Sequence, residues 1–321
     1  MSRPAPLLPA SGSGKPCTSA PGAGTATAAP SDGASSTSTP HARAPAASAL
    51  TARHGAAPAA AAVAAAVQAA RRYQALAPAL IERVAAEEVS KARTHDEAVK
   101  RVKRRLHQVH GAYAGGLNRP GALAELQMAA ADGPAALQEA CRRLMRLHAS
   151  TRERLPVIEH FYGDLFRLTG RPTRLLDLAC GLAPLALPWM PLAEGAFYHA
   201  CDVDGDVIAI VDRFLALWGI AHRAEIRDVT YDRPREHYDV VLLLKAIPCL
   251  EQQHRGVGRQ LLAALPARHI AVSFPTRSLG GRSKGMGRHY ETQLRQMIEG
   301  LSLEVAVLSY PLETVYLLSR P

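Results

Sequence analysis

The stretch that decides the fold runs Leu176-Asp177-Leu178-Ala179-Cys180-Gly181-Leu182-Ala183-Pro184. An apolar strand ends here in an acid and a glycine turn, and open α/β sheets bind their ligands at the carboxyl ends of strands. The pattern is not GxGxxG and lacks the three glycines that let a backbone approach a pyrophosphate, which disfavours a nicotinamide dinucleotide. Gly181 still allows a close approach of ligand to backbone, because glycine has no side chain. The stretch therefore predicts a ligand-binding turn in a doubly wound α/β domain.

Strands and helices alternate around this turn, from residue 170 to the end of the chain. The predicted strands cover residues 174–178, 196–201, 222–226, 238–244, 268–274, 303–309 and 314–318. The predicted helices between them cover residues 184–192, 205–218, 252–265 and 288–300. Such alternation predicts a parallel sheet with helices on both faces. Only residues 310–313 separate the last two strands, which is too short for a crossover, so these two must pair antiparallel.

Two further acids end the next two predicted strands. Asp202 follows the second strand, 25 residues after Asp177 (202 − 177 = 25), and Asp228 follows the third. A carboxylate at the second strand end can accept hydrogen bonds from both hydroxyls of a ribose, and the acid at the third can bind an adenine amine. A lone Asp at a strand end is more often a helix cap or a turn residue. Three acids in order on this fold favour a cofactor site.

The glycine turn resembles motif I of S-adenosylmethionine-dependent methyltransferases, written D/ExGxGxG, with Ala179 and Ala183 at the first and third glycine positions. The resemblance implies an α/β fold of the Rossmann-like class I methyltransferase type, with a parallel sheet, an antiparallel last strand and, here, an N-terminal helical domain. S-adenosylmethionine is then the expected cofactor. Its predicted binding residues are Asp177, Ala179, Gly181, Asp202, Asp228, Val229 and Leu244.

The amino-terminal part of the chain has a different composition. Residues 1–60 are almost all Ala, Ser, Thr, Gly and Pro, and we expect a disordered tail because they cannot bury enough apolar surface. Residues 61–150 have helical periodicity and are expected to form a basic helical domain, followed by the methyltransferase domain over residues 151–321. Thr94 and Glu97 form a capping box that predicts the start of one helix.

The chain is basic, with a formal net charge of +10 and a pI near 9.7, which favours a polyanionic partner. Five of the six residues from 100 to 105 are cations: Lys100, Arg101, Lys103, Arg104 and Arg105. With little acid to pair them, these side chains predict a surface that contacts RNA phosphates. The alternative is an ordinary solvated helix face.

Cysteine usage and the lack of targeting signals indicate a cytoplasmic protein. The five cysteines are odd in number and contain no CxxC pair, so neither a disulfide framework nor a metal site is expected. No apolar core of a secretory signal follows Arg3. The Ala-rich run over residues 56–70 is too short and too weakly apolar to span a membrane.

Four stretches of the chain resemble one particular family. They are Leu-Lys-Ala-Ile-Pro-Cys-Leu-Glu at 244–251, Val-Ser-Phe-Pro-Thr-Arg-Ser-Leu-Gly-Gly-Arg-Ser-Lys-Gly-Met at 272–286, His-Ala-Ser-Thr-Arg-Glu-Arg-Leu-Pro at 148–156 and Leu-His-Gln at 106–108. In them the sequence is similar to the aminoglycoside-resistance 16S ribosomal RNA methyltransferases, in the version found in antibiotic-producing actinomycetes. The likeness covers most of residues 80–321.

This resemblance implies methylation of N7 of guanine 1405 in 16S ribosomal RNA, on the assembled 30S subunit, with resistance to kanamycin- and gentamicin-type drugs. It implies that Arg154, in the Ser-Thr-x-Glu-Arg motif, holds the cofactor carboxylate, and it places His107 near the same site. We expect the enzyme to act as a monomer.

Guanine N7 carries an in-plane lone pair and no proton, so its methylation requires alignment with the methyl–sulfur bond but no general base. Lys245, after the fourth strand, is the expected catalytic residue, placed to hydrogen-bond O6 or to orient the purine. A lysine that snorkels at a strand end is the alternative. The Asn/Asp-Pro-Pro-Tyr motif of amino-methylating enzymes is absent there, and Pro248-Cys249 matches cytosine-C5 enzymes only as a dipeptide.

The loop after the fifth strand carries four more cations that we expect to bind RNA phosphates: Arg277, Arg282, Lys284 and Arg288. Two other functions stay open, namely a methyltransferase acting on a small molecule or protein and a non-catalytic RNA-binding protein on a Rossmann scaffold. The cationic amino-terminal helices argue against the first. Asp202 and Asp228 argue against the second.

Overall fold

The computed structural model describes residues 47–109, 117–276 and 286–321, and residues 46–321 form one compact unit. The α-helices are α1 (Ala47–Gln68), α2 (Pro78–Val89), α3 (His95–Val109), α4 (Arg119–Ala131), α5 (Pro134–Met145), α6 (Ala149–Arg154), α7 (Ile158–Thr169), α8 (Gly205–Trp218), α9 (Ile247–Gln253), α10 (Val257–Ala264) and α11 (Met286–Ile298). The strands are β1 (Arg174–Leu178), β2 (Phe197–Asp202), β3 (Ala221–Ile226), β4 (Tyr238–Leu244), β5 (Ala267–Pro275), β6 (Glu304–Ser309) and β7 (Glu313–Ser319). Short 3-10 helices cover Arg71–Tyr73, Leu155–Val157 and Ala183–Trp189.

The sheet confirms the predicted fold class. Its strand order is β3-β2-β1-β4-β5-β7-β6, in which β1 to β5 pair parallel. The last strand, β7, lies between β5 and β6 and pairs antiparallel with both. Each predicted strand lies within one residue of the observed one at both ends. Most strands were predictable because their apolar runs are bounded by turn residues, whereas β3 at the sheet edge is half polar and partly exposed.

The helices between the strands follow the prediction less closely. Helix α8 has the predicted bounds, with the Asp204 carboxylate accepting from the backbone N–H groups of residues 206 and 207. The helix expected over 252–265 is two helices, α9 and α10, because Gly256 adopts a left-handed φ of +82° between them. The helix expected over 184–192 is a 3-10 helix interrupted by Pro188, which has no N–H to donate.

Three groups of buried side chains form the interior. Leu242 and Leu244 of β4 face α4, α5, α7 and α8 in one cluster. The alternate residues Val241 and Leu243 face α9 and α10 on the other side of the sheet. Helices α1 to α3 have a cluster of their own around Leu80. The predicted division at residue 150 stays a prediction, although α4 and α5 share their core with the sheet.

The predicted boundary of the tail at residue 60 falls inside α1, whose many alanines are strong helix formers. Residues 1–46 lie outside the described residues, as do Arg277, Arg282 and Lys284. One half of the predicted capping box is formed: the N–H of Glu97 donates to Thr94 Oγ1 over 3.2 Å, but the Glu97 carboxylate accepts from the N–H of Arg93, one residue before the cap. Within the described ranges, no helix is long and apolar enough to cross a bilayer.

Candidate active site

A cavity opens at the carboxyl edge of the sheet, beside β1, β2 and β4. Strand order reverses between β1 and β4, and such a switch point leaves a crevice at the strand ends. Most of the predicted cofactor and catalytic residues line this cavity: Ala179, Gly181, Asp202, Asp228, Val229, Leu244 and Lys245. Arg154 and Asp177 are buried and are not part of its wall. The folding of the sheet therefore brings seven residues predicted from the sequence to one opening.

The glycine turn is shaped by Asp202. Gly181, with a left-handed φ of +51°, donates its N–H to Asp202 Oδ2 over 2.8 Å, and the N–H of Asp204 donates to Oδ1 over 3.0 Å. A Cβ at position 181 would lie 3.0 Å from the His148 ring, so a side chain there would both crowd that ring and strain the backbone. Ala179 adopts the same φ of +51° with a side chain, which costs about 1–2 kcal/mol. The alanine departure from motif I is thus accommodated as backbone strain.

Asp177 is buried beside this turn. Tyr198 donates its hydroxyl to Asp177 Oδ2 over 2.8 Å, and Oδ1 has no hydrogen-bond partner among the described residues. Burial, together with the nearby charge of Asp202, raises the pKa of Asp177 to about 7. The hydrogen bond from Tyr198 and the charge of Arg154 act in the opposite direction but do not cancel this effect. A carboxyl with this pKa changes its charge near neutral pH.

Arg154 is buried as an ion pair with Glu313 at the start of β7. Its Nη2 lies 2.7 Å from Glu313 Oε1 and its Nε lies 3.1 Å from Oε2, while its guanidinium stacks over Phe161. The third nitrogen, Nη1, is buried without a partner in the described structure. A buried guanidinium nitrogen with unused protons is a site where an anionic ligand group gains a strong hydrogen bond.

Lys245 joins the same cluster from the cavity side. Its Nζ lies 2.6 Å from Glu153 Oε2 and 3.5 Å from Glu313 Oε2. Its backbone has a left-handed φ of +58°, and its N–H donates to Ser273 Oγ over 2.9 Å. The two cations Arg154 and Lys245 are therefore neutralised by the carboxylates of Glu153 and Glu313. These specific contacts hold the Lys245 ammonium inside the protein, whereas a snorkelling lysine would extend it into solvent.

Glu313 is the centre of this cluster. Besides Arg154 and Lys245, it accepts a 2.5 Å hydrogen bond from the Ser273 hydroxyl. Burial alone would raise the pKa of Glu313, but the charges of Arg154 and Lys245 and the hydrogen bonds from Arg154 and Ser273 hold it below its ordinary value. It therefore stays ionised at neutral pH and keeps both cations in place.

Asp228 makes contacts that the sequence did not indicate. Arg83 of α2 donates to Asp228 Oδ2 from Nε over 3.2 Å and from Nη2 over 2.9 Å. Thr230 donates to Oδ1 from its N–H over 3.1 Å and also from its hydroxyl. A carboxylate offers about four lone-pair positions, and all are used here. The expectation that Asp228 accepts directly from an adenine amine therefore requires a donor to move.

The cations of α3 divide into two groups. Lys100 and Arg104 are exposed, as the prediction of an RNA surface requires, and Lys103 is half-buried. Arg101 instead pairs with the buried Glu88 of α2 over 3.0 Å, and Arg105 pairs with Glu88 over 3.1 Å. The expectation that little acid pairs these cations was wrong for these two, because acids on a neighbouring helix reach them.

The remaining predicted residues lie away from the cavity. His107 is exposed, with its Nδ1 2.8 Å from Arg72 Nη2, and it does not line the cavity. Arg288 is exposed in the first turn of α11. Both therefore lie on the outer surface, His107 beside the cation Arg72, where they can contact phosphates.

None of the described cysteines, Cys141, Cys180, Cys201 and Cys249, forms a disulfide. Outside the cavity, possible metal-ligand atoms of His199, Cys201 and Glu225 lie within 4.8 Å of one another. Glu225 also pairs with Arg227 over 2.7 Å and lies 3.7 Å from Arg223. Two cations on the same carboxylate oppose a divalent ion, so we assign no metal to this group.

Comparison with known proteins identifies the family. A family model described as "Ribosomal RNA methyltransferase (FmrO)" matches residues 69–312. This chain belongs to that family. The 16S rRNA (guanine(1405)-N(7))-methyltransferase of Micromonospora echinospora is 42% identical over 254 residues, which are 78% of this chain and 93% of the relative. The enzyme of the same name from Serratia marcescens is 35% identical over 220 residues, 68% of this chain and 82% of the relative.

Solved structures of ribosomal RNA methyltransferases have the same fold. The 16S rRNA methyltransferase RmtF in complex with S-adenosyl-L-homocysteine is 32% identical, with a TM-score of 0.73 over 82% of this chain and 98% of that one. The 16S rRNA methylase RmtB is 26% identical, with a TM-score of 0.68 over the same shares. The present methyltransferase therefore matches these relatives across both its helical and its sheet regions.

The cofactor of this methyltransferase is S-adenosylmethionine, and the residues present fit it. The glycine turn and the Asp202 carboxylate line the cavity, and Arg154, which is buried outside its wall, has N–H groups at Nη1 without a hydrogen-bond partner among the described residues. Apolar side chains, Val229 and Leu244, line the same cavity and can pack against a nucleoside.

Sequence reasoning missed Glu313, Ser273 and Arg83. Glu313 and Ser273 lie in strands that pair antiparallel, so nothing in their local sequence indicates a shared contact. Arg83 is 145 positions before Asp228. The contact of Glu153 with Lys245 was also not predicted, although Glu153 could have been singled out because it belongs to the Ser-Thr-x-Glu-Arg motif.

Proposed function

We propose that this enzyme transfers a methyl group from S-adenosylmethionine to N7 of guanine 1405 of 16S ribosomal RNA. The observation that carries the proposal is the match to relatives named for that reaction, which extends over 93% of the Micromonospora echinospora enzyme. The cavity at the strand ends supports the proposal, because the predicted cofactor residues and Lys245 line it together and can bring the methyl group and the base side by side.

The cofactor residues act by binding and orientation. Arg154 Nη1 binds the cofactor carboxylate, Asp202 accepts from the ribose hydroxyls, and Val229 and Leu244 pack against the adenine. S-adenosylmethionine supplies an electrophilic methyl group on a sulfonium centre. Asp177 lies under the turn, where its carboxyl group keeps Tyr198 and the end of β1 in place.

Lys245 orients the guanine. Its ammonium can leave Glu153 and donate to O6 while Glu313 keeps the side chain at the cavity wall. The Glu153 carboxylate, once Lys245 has left it, can stabilise the positive charge that N7 gains on methylation. No group has to remove a proton from the base, because guanine N7 carries none.

The basic surface binds the RNA backbone. Lys100 and Arg104 of α3 and Arg288 of α11 are exposed and can pair with phosphates. Arg277, Arg282 and Lys284 keep their predicted role in the same interface. Arg101 contributes indirectly, because its pair with Glu88 fixes α3 against α2. The partner is 16S ribosomal RNA in the assembled 30S subunit, bound by a monomer in the cytoplasm.

Primer extension on RNA from 30S subunits, after borohydride reduction and aniline cleavage at N7-methylated guanine, tests this function. Subunits incubated with the enzyme and S-adenosylmethionine should give a modification at guanine 1405, while subunits incubated with S-adenosylhomocysteine should give none. Cells that express the enzyme should gain resistance to kanamycin and gentamicin. A modification at an adenine, or at no position, contradicts the proposal. Equal modification of protein-free RNA contradicts the choice of the 30S particle.

A further inference from the structure

The wall of the cavity on the Asp228 side is held from outside the sheet domain. Arg83 of α2 donates two hydrogen bonds to Asp228, over 3.2 Å and 2.9 Å. The side chain of Arg83 is 13% exposed and that of Asp228 is 7% exposed, so the pair is largely shielded from solvent. Such a pair matters for the structure, because removing one partner leaves a buried charge uncompensated.

The same guanidinium reaches two further elements. Arg83 Nη2 lies 3.3 Å from Gln253 Oε1 at the end of α9, and the guanidinium stacks 4.6 Å over the ring of Tyr231. Its Nη1 lies 3.3 Å from Glu87 on its own helix. Gln253 and Asp228 both line the cavity. One side chain of α2 therefore fixes two parts of the cavity wall that are distant from each other in the sequence.

Helix α3 supports this arrangement. Arg105 donates from Nη2 to the backbone carbonyl of Gln253 over 2.8 Å and pairs with Glu87 over 2.5 Å. Helix α2 and helix α3, which carries the exposed cations Lys100 and Arg104, therefore both contact the same corner of the cavity. A displacement of α2 or α3 would move Gln253 and release Asp228.

We infer that Arg83 is a positioning residue for the adenosine side of the cofactor site, so that the amino-terminal helices complete that site. Four donors fill the lone pairs of Asp228, which fixes the backbone of residues 228–230 and with it Val229. Without Arg83, Asp228 loses two of those donors and residues 228–230 are less well ordered. The ligand must then order this part of the cavity wall when it binds, which lowers its affinity. The inference rests on the proposed function only for the identity of the cofactor.

Calorimetry on the full chain tests this without a ribosome, so its result is independent of the RNA target. Arg83→Gln should weaken S-adenosylhomocysteine binding at least about fivefold, the lower end of usual coupling factors. Arg83→Lys keeps the charge but not the two-point geometry, and should recover part of the loss. The matched control is Arg119→Gln, whose guanidinium pairs with Asp206 over 3.1 Å at an exposed position and should leave binding unchanged.

A second ligand separates positioning from general destabilisation. Methylthioadenosine contains the adenosine part of the cofactor without its amino acid, and Arg83→Gln should weaken its binding by the same factor. In steady-state assays the KM for S-adenosylmethionine should rise by that factor, with kcat within about twofold. Unchanged affinity for S-adenosylhomocysteine overturns the inference. A loss confined to S-adenosylhomocysteine, or an equal loss in Arg119→Gln, overturns it as well.

Discussion

Arg154 and Glu313 form a two-point ion pair in the interior, with Nη2 2.7 Å from Oε1 and Nε 3.1 Å from Oε2. The pair joins α6, which carries a motif recognisable in sequence, to the antiparallel strand β7. Lys245 contacts the same carboxylate from the end of β4. The residues proposed to hold the cofactor carboxylate and the base therefore depend on one shared anion, which couples cofactor binding and base orientation structurally.

Glu313→Gln should destabilise the enzyme and abolish methylation, because it removes the anion between two buried cations. Breaking a buried ion pair from one side costs about 3–5 kcal/mol, and urea denaturation measures the loss. Glu304→Gln, at an exposed position of β6, is the control and should change stability by less than about 0.5 kcal/mol. Equal stability of Glu313→Gln and the control would show that the cluster is not electrostatically coupled.

Lys245→Met should lower kcat at least about 10²-fold, as the loss of an oriented hydrogen-bond donor does. Affinity for S-adenosylhomocysteine should stay within about threefold, because the proposed contact is to the base. Single-turnover methylation of 30S subunits and calorimetry measure the two quantities. Arg167→Ala, at an exposed end of α7, controls for the loss of a cation. A variant with full turnover would remove Lys245 from the reaction.

Arg104→Gln and Arg101→Gln remove neighbouring cations of α3 and should have different effects. The first should reduce the salt slope of 30S binding by about one and leave Tm unchanged, because an exposed cation contacts one phosphate. The second should cost about 1 kcal/mol of stability, because Arg101 pairs with the buried Glu88. Salt-dependent filter binding and thermal unfolding distinguish them. Identical profiles for both variants would refute the division of the helix face.

Asp177→Asn should change how stability depends on pH. Burial raises the pKa of Asp177 from its ordinary 3.8 to about 7, so between these values the folded state binds more protons than the unfolded state. The free energy of unfolding contributed by this group therefore falls as pH rises through that window. The asparagine of the variant cannot titrate, so the free energy of unfolding of the variant does not fall in this way. Relative to the native enzyme, the stability of Asp177→Asn should therefore rise by on the order of a few kcal/mol between about pH 5 and about pH 8.

Asp239→Asn is the matched control for this experiment. Burial acts to raise the pKa of Asp239, but hydrogen bonds from Thr173 and Arg174 outweigh it and hold the pKa below its ordinary value. Its stabilising effect is lost only as pH falls below the ordinary range of an acid, so the difference from the native enzyme should be constant between about pH 5 and about pH 8. A parallel pH profile for Asp177→Asn would contradict the raised pKa.

The central strands β1 and β4 could be predicted from sequence because each is an apolar run that the sheet buries on both faces, bounded by turn residues, whereas β3 and β6 at the two edges of the sheet are partly exposed. Asp202 was predictable for a related reason: a side chain at a strand end of this fold lies at the ligand edge wherever the strand lies. The division of the helix predicted over 252–265 into α9 and α10 could not be predicted, since it depends on the left-handed conformation of Gly256. Residues 110–116 and 277–285 are not described, so the predicted phosphate contacts of Arg277, Arg282 and Lys284 stay predictions.

By itself the sequence determined the sheet, its antiparallel end and the acids of the cofactor edge, since these follow from local periodicity and from position along a strand. Its stretches that resemble known methyltransferases also indicated the reaction. Only the tertiary structure decided which charges meet. Glu313 reaches Arg154 and Lys245, and Arg83 reaches Asp228 across 145 positions, because packing brings together groups whose separation in sequence carries no signal. The ligand-binding turn around Gly181 was visible from the start, whereas the ion pairs beside it required the fold.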